Sequence, residues 1–105
     1  MAWLFLILAG LLEIVWAFGM KWSDGFSRPI PSILAVIAML ASFGLLALAM
    51  KSLPLGTAYA VWTGIGAVGT FIIGVVILNE PLSIMRVSAA LMIAGGLLLM
   101  KLSSP

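Results

Sequence analysis

The stretch that decides the fold is residues 2–20, which read AWLFLILAGLLEIVWAFGM. Its only charged side chain is Glu13. A membrane-spanning helix needs about 20 predominantly apolar residues, because each residue advances the helix by about 1.5 Å and the hydrocarbon core is about 30 Å thick. This stretch is therefore predicted to be a transmembrane helix.

A cleaved signal peptide is the competing interpretation of such an N-terminal stretch. The stretch has no basic region at its start, and an acid interrupts its apolar run. A signal peptide also does not explain the further apolar stretches downstream. We therefore expect a span that stays in the membrane.

The rest of the chain repeats the pattern. Residues 29–50 and 52–79 carry no charge, and residues 82–88 can extend the shorter run 87–100 if Arg86 reaches the headgroups. The sequence predicts an all-α integral membrane protein: one four-helix domain covering residues 1–105, with spans at about 2–20, 31–50, 56–78 and 83–101.

The composition excludes several classes of function. The chain is 65% hydrophobic and 8% charged, with a mean hydropathy of +1.36, so its natural solvent is the lipid bilayer. Without Cys or His it lacks thiols and the usual metal ligands, and we expect no metal and no cofactor. A scattered net charge of +2 does not suit nucleic acid. No phosphate-binding loop and no nucleophile with a base is present, so we expect no enzyme.

The basic residues barely select an orientation in the membrane. Lys51 and Lys101 fall on one side, whereas Lys21, Arg28 and Arg86 fall on the other. Cytoplasmic loops normally carry a clear Lys/Arg excess. Either the chain inserts one way on a weak bias, or copies insert both ways and pair antiparallel. The charges leave both possibilities open.

Glu13 is the leading candidate for a functional residue. Trp3 and Trp22 bracket the first span at a separation of about 28 Å, which suits the two aromatic belts and puts Glu13 near the midplane. A charge there costs at least ~2.5–3.5 kcal/mol, and no basic residue occupies the centre of any span. We expect Glu13 to hold a proton or a cation. The alternative is a protonated Glu that bonds helices together.

The neighbours of Glu13 suit a ligand. Its helix face carries small residues, including Gly10, and the flat ring of Trp16. This combination leaves room for a ligand beside an aromatic wall. Small residues also let helices approach closely, and both interpretations can hold together.

The third span adds aromatic and flexible positions. Tyr59, Trp62, Thr63 and Gly66 share one helix face, where rings with polar groups can close over a cation. Tyr59 could instead belong to the interfacial belt. Gly64 and Gly66 suggest a kink or a flexible point.

Other small residues predict helix association. Gly66, Thr70 and Gly74 form a ridge in the third span, and the Ala90–Ala94 repeat in the fourth predicts dimerisation. Ser42 is the polar residue in the middle of the second span. Its hydroxyl is expected to bond its own helix backbone more readily than a carboxylate.

Three stretches carry a resemblance to a known family. They are EIVWA at 13–17 with Lys21, GFSR at 25–28 leading to PS at 31–32, and KSLPLGTAYAVWTGIG at 51–66. Over essentially its whole length the chain resembles the small multidrug resistance family, and within it the guanidinium-exporter subtype. Trp16, three residues after the acid, is the discriminator, since exporters of polyaromatic cations typically have a small residue there. Pro29, beside Pro31, departs from the pattern and is expected to affect only the helix start or the loop.

The resemblance implies an antiparallel, dual-topology homodimer in a prokaryotic inner membrane. It implies proton-coupled export of guanidinium and small guanidinyl cations, with both copies of Glu13 alternately binding protons or substrate. Trp16, Ser42 and Trp62 would orient the carboxylates, Tyr59 would line or switch the site, and the fourth helices would form much of the dimer contact. The alternatives are a quaternary ammonium or multidrug cation exporter of the same fold, and a non-transporting membrane subunit that needs a partner.

Overall fold

The structure is a computed structural model that describes residues 1–103. It contains four α-helices, α1 (Ala2–Trp22), α2 (Pro29–Ala49), α3 (Leu55–Val76) and α4 (Ile84–Ser103). Each is long and apolar enough to cross a membrane. The prediction of four membrane-spanning helices is confirmed, and no predicted end differs from the structure by more than two residues.

Prolines set two of the helix starts. Pro29 is the first residue of α2 and follows Arg28 in an extended conformation. Pro54 precedes α3 with φ −59° and ψ 148°. Proline has no N–H to lose in the first helical turn, and its fixed φ already suits a helix. The additional proline thus begins the second span, as expected.

The helices form a flat layer about one to two helices thick. The layer measures 42 × 34 × 16 Å, and its helices follow the order α2, α1, α3, α4 from edge to edge. The hydrophobic core lies at one end of this layer, where α1 begins, α2 ends and α3 begins. Its buried members are Leu6, Ala9, Leu46, Ala49, Ala58, Val61 and Trp62.

Helix α4 is the most exposed element. Along its described length it has no buried residue, and it packs on α3, with Lys101 Nζ lying 4.5 Å from the centre of the Trp3 ring on α1. Apolar surface of this kind suits either lipid or a second copy of the chain. Dimerisation through α4 stays a prediction.

The glycine pair in α3 serves close packing. The helix is continuous through Gly64 and Gly66. A Cβ on Gly64 would lie 2.9 Å from Leu97 Cγ of α4, and one on Gly66 would meet the Glu13 carboxyl group. These glycines therefore bring α4 and Glu13 against α3 without interrupting the helix.

Candidate functional site

Glu13 lies against α3 at Gly66. A Cβ on Gly66 would be 2.8 Å from Glu13 Cγ and closer still to the carboxyl group, so no larger residue fits without moving the acid. The absence of a side chain at position 66 thus creates the space that the carboxyl group occupies.

Two buried polar atoms of α1 have no hydrogen-bond partner among the described residues. Among residues 1–103, Glu13 Oε1 and Trp16 Nε1 are buried without a hydrogen bond, and they belong to residues one turn apart on α1. An unsatisfied buried polar group costs about 1–3 kcal/mol. The Trp16 N–H is a donor and needs an acceptor, whereas the Glu13 oxygen can accept a hydrogen bond or take up a proton. A polar ligand or a group from a second copy of the chain could partner either atom.

Ser42 joins three helices. Its Oγ donates a 2.7 Å hydrogen bond to Ala9 O of α1 and accepts a 3.0 Å hydrogen bond from Trp62 Nε1 of α3. The expectation that Ser42 bonds its own helix is wrong, because the small Ala9 lets α2 approach the α1 backbone. In this subunit Ser42 and Trp62 bond each other, and their bonding to the Glu13 carboxylate stays a prediction.

Replacing Ser42 with Ala should destabilise the protein. The change leaves the Ala9 carbonyl and the Trp62 N–H buried without their partner, which costs about 1–3 kcal/mol. We expect a lower thermal unfolding midpoint in detergent. Ser32→Ala is the matched control, because Ser32 Oγ donates to Arg28 O at the exposed start of α2. Equal midpoints for the two variants would show that the three-helix bond contributes nothing.

Four aromatic rings adjoin this network. Phe43 lies between Trp16 and Trp62, with ring centres 6.3 and 5.9 Å away, and Tyr59 lies 5.5 Å beyond Trp62. The rings come from α1, α2 and α3. Sequence reasoning did not place Phe43 in the site, and its position next to Ser42 was the one available signal. Together the rings form an aromatic wall that continues from Trp16 to the half-exposed Tyr59.

Two other predicted site residues, Gly10 and Thr63, make contacts outside this site. A Cβ on Gly10 would lie 2.7 Å from Ile65 Cγ2, so Gly10 packs against α3. Thr63 is exposed, and its hydroxyl donates to the Tyr59 carbonyl of its own helix. The structure thus brings Glu13 against Gly66 and Trp16 beside Phe43. It places Ser42 and Trp62 in the adjoining network and gives Gly10 and Gly64 packing roles.

A cleft between α1 and α3 begins one turn beyond Glu13. It has a volume of about 400 Å³, and its lining includes Ala17 and Lys21 of α1, Thr70 of α3, and Glu80 and Arg86 near the start of α4. By its sequence Glu80 is an ordinary loop acid, whose charge solvation by water would explain. The structure instead places this carboxylate in the cleft, in contact with α3.

The small-residue ridge in α3 meets carboxyl groups. A Cβ on Gly66 would meet the carboxyl group of Glu13, and one on Gly74 would meet that of Glu80. Thr70 lies between them and donates a 2.7 Å hydrogen bond to Gly66 O. At Gly66 the ridge packs against α1 through the Glu13 side chain, as expected, whereas at Gly74 it meets the loop acid Glu80 rather than another helix.

The comparisons with known proteins all indicate the same family. A family model described as "Small Multidrug Resistance protein" matches residues 1–93. The guanidinium exporter of Yersinia pseudotuberculosis serotype I is 59% identical over 99% of this chain and 100% of its own length. The guanidinium exporters of Escherichia coli K12 and Proteus vulgaris are 56% and 53% identical, each over 99% of this chain and at least 99% of its own.

Proposed function

Because the chain belongs to the small multidrug resistance protein family, we propose that it exports guanidinium and small guanidinyl cations in exchange for protons. Because it has four apolar helices and belongs to this family, the chain is a multi-pass protein of the bacterial inner membrane. The substrate in the proposal comes from the full-length similarity to guanidinium exporters.

The observation that carries the mechanism is the unpartnered pair on α1. Glu13 Oε1 needs a donor, and guanidinium is a planar cation whose N–H groups match carboxylate oxygens. Trp16 Nε1 needs an acceptor, which guanidinium lacks. A carboxylate from a second Glu13 would satisfy that donor, which supports a site shared between two copies.

Exchange follows from charge balance at Glu13. No Lys or Arg lies in the central part of a span, so the carboxylate has no permanent counter-ion in the membrane. A proton or a guanidinium ion can neutralise it, and each displaces the other. Proton uptake would therefore release the cation, and proton release would prepare the site for the next one.

A homodimer with opposite orientations completes the proposal. Two inverted copies would place two carboxylates at one site that can open to either side of the membrane. The near balance of two against three basic residues on the two sides supports insertion in both orientations. The exposed apolar surface of α4 offers an area for the contact between copies.

Transport by the purified chain in proteoliposomes tests this function. We expect guanidinium to move by the action of this chain alone, driven by a proton gradient, and a bulky aromatic cation to move far more slowly. Transport of the aromatic cation without guanidinium would indicate the multidrug alternative. Transport of neither cation would indicate a subunit that needs a partner, and either result would contradict the proposal.

A further inference from the structure

The Glu80 carboxyl group, like that of Glu13, packs against a glycine of α3. Its backbone N–H donates a 3.0 Å hydrogen bond to Gly74 O, and a Cβ on Gly74 would lie 2.9 Å from Glu80 Cδ. The glycines under the two acids are eight residues apart in α3, which is about 12 Å along a helix. The two carboxyl groups thus lie along one stripe of α3.

Arg86 shows how this region binds a guanidinium group. Its Nη2 lies 3.6 Å from Glu80 Oε1, its Nη1 donates to Pro81 O, and its Cζ lies 5.1 Å from the centre of the Phe71 ring. A carboxylate, a carbonyl oxygen and an aromatic face are three groups that favour a planar cation with several N–H donors. We call Glu80, the Pro81 carbonyl and Phe71 the outer site.

The outer site opens into the cleft that leads towards Glu13. The cleft reaches from Glu80 and Arg86 to Ala17, which is one helical turn from Glu13 on α1. The Arg86 and Glu80 side chains are 37% and 39% exposed, so both can exchange partners with ions from water. A cation at the outer site would therefore lie in a cleft that reaches to within one helical turn of Glu13, at Ala17.

We propose that the outer site binds guanidinium on its way to or from Glu13, and that Arg86 occupies this site in its absence. The identity of the ligand rests on the proposed function, whereas the recognition chemistry rests on the contacts of Arg86. Partly exposed ion pairs are weak, so a free guanidinium can displace the tethered one. Lys21 also lines the cleft and repels a bound cation, which keeps the site weak enough for the ion to leave.

Binding measurements in a Glu13→Gln background isolate the outer site. We expect calorimetry in detergent to show that Glu13→Gln/Arg86→Ala binds one guanidinium per subunit. The affinity should be about two- to sixfold higher than that of Glu13→Gln alone, because the Arg86 guanidinium no longer competes for the site. Adding Glu80→Gln should abolish this binding. Glu13→Gln/Arg28→Ala is the matched control, since it removes a basic residue on the same side of the membrane but outside the cleft lining.

Two results would overturn the outer site. One is equal guanidinium binding by the Arg86→Ala and Arg28→Ala double variants, and the other is binding that survives the addition of Glu80→Gln. Thermal unfolding of each variant confirms that it is folded. The Arg86→Ala/Glu80→Gln pair removes both charges together, so it leaves no unpaired partner behind.

Transport measurements test the outer site and the proposed function separately. In the otherwise unchanged chain, Glu80→Gln should raise the KM for guanidinium about two- to fivefold and leave the turnover rate unchanged. An unchanged KM would contradict a role for the outer site in transport. If the unchanged chain did not transport guanidinium, the proposed function would fail, while the binding measurements would still decide whether the outer site exists.

Discussion

Glu13→Gln is expected to reduce guanidinium export by about 100-fold or more. Glutamine has nearly the same size but can neither take up a proton nor balance a cation. Removing one partner of a buried ion pair costs about 3–5 kcal/mol, which corresponds to a factor of at least about 100. Uptake of labelled guanidinium into proteoliposomes, driven by a fixed proton gradient, measures the change.

Asp24→Asn is the matched control for this amide substitution. Asp24 is an exposed residue of the α1–α2 loop with a φ of 53°, a conformation that asparagine also tolerates. Its transport rate should stay within about twofold of that of the unchanged chain, since exposed loop charges contribute little. If Glu13→Gln kept a tenth or more of the rate, Glu13 would not be the exchanging group.

Gly66→Ala is expected to reduce export by about tenfold or more while the protein stays folded. The added methyl group would overlap the Glu13 carboxyl group and force it away from α3. Overpacking of this kind costs about 1–3 kcal/mol, and a small displacement of a reacting group can cost a further factor of about 100 in rate. Transport and thermal unfolding of the same preparation separate the two effects.

Gly56→Ala controls for the loss of a glycine from the same helix. Among residues 1–103, no atom beyond the chain neighbours and helix backbone next to Gly56 lies within 4 Å of a Cβ placed on it. This variant should therefore transport and unfold like the unchanged chain. Normal export by Gly66→Ala would show that the carboxyl group does not need its place on α3. A loss of export that merely followed a loss of folded protein would also contradict the expected positioning effect.

The four helices could be predicted because the membrane leaves few alternatives. A spanning segment must satisfy its own backbone hydrogen bonds, so an apolar run of sufficient length is a helix. Pro29 and Pro54 then mark where α2 and α3 begin. The order of the helices in the layer could not be predicted in this way, because it depends on side-chain packing between helices that are all apolar.

The site could be predicted only as far as one helix determines it. Glu13 and Trp16 are close because they are one turn apart, and spacing in the sequence shows this directly. The contact of Glu13 with Gly66 depends on the relative position of α1 and α3, which spacing within one helix does not give. For Ser42 the prediction was wrong for the same reason, since its acceptor, the Ala9 carbonyl, belongs to another helix.

Glu80 shows the same limit of sequence reasoning at the membrane surface. A loop acid after an apolar run needs no partner beyond water, and solvation is a sufficient explanation of its charge. In the structure the loop folds back, and the missing side chain at Gly74 admits the carboxyl group to α3. A small-residue ridge therefore predicts close approach, but the group that approaches can be a side chain rather than a helix.

The pH inside proteoliposomes tests proton exchange at Glu13 most directly. Guanidinium is added outside vesicles that contain the purified chain and a pH-sensitive dye, with no initial pH gradient. We predict that guanidinium enters, protons leave and the interior becomes alkaline, and that Glu13→Gln abolishes this change. Guanidinium uptake without a change in internal pH, or the same change with Glu13→Gln, would contradict proton exchange at this residue.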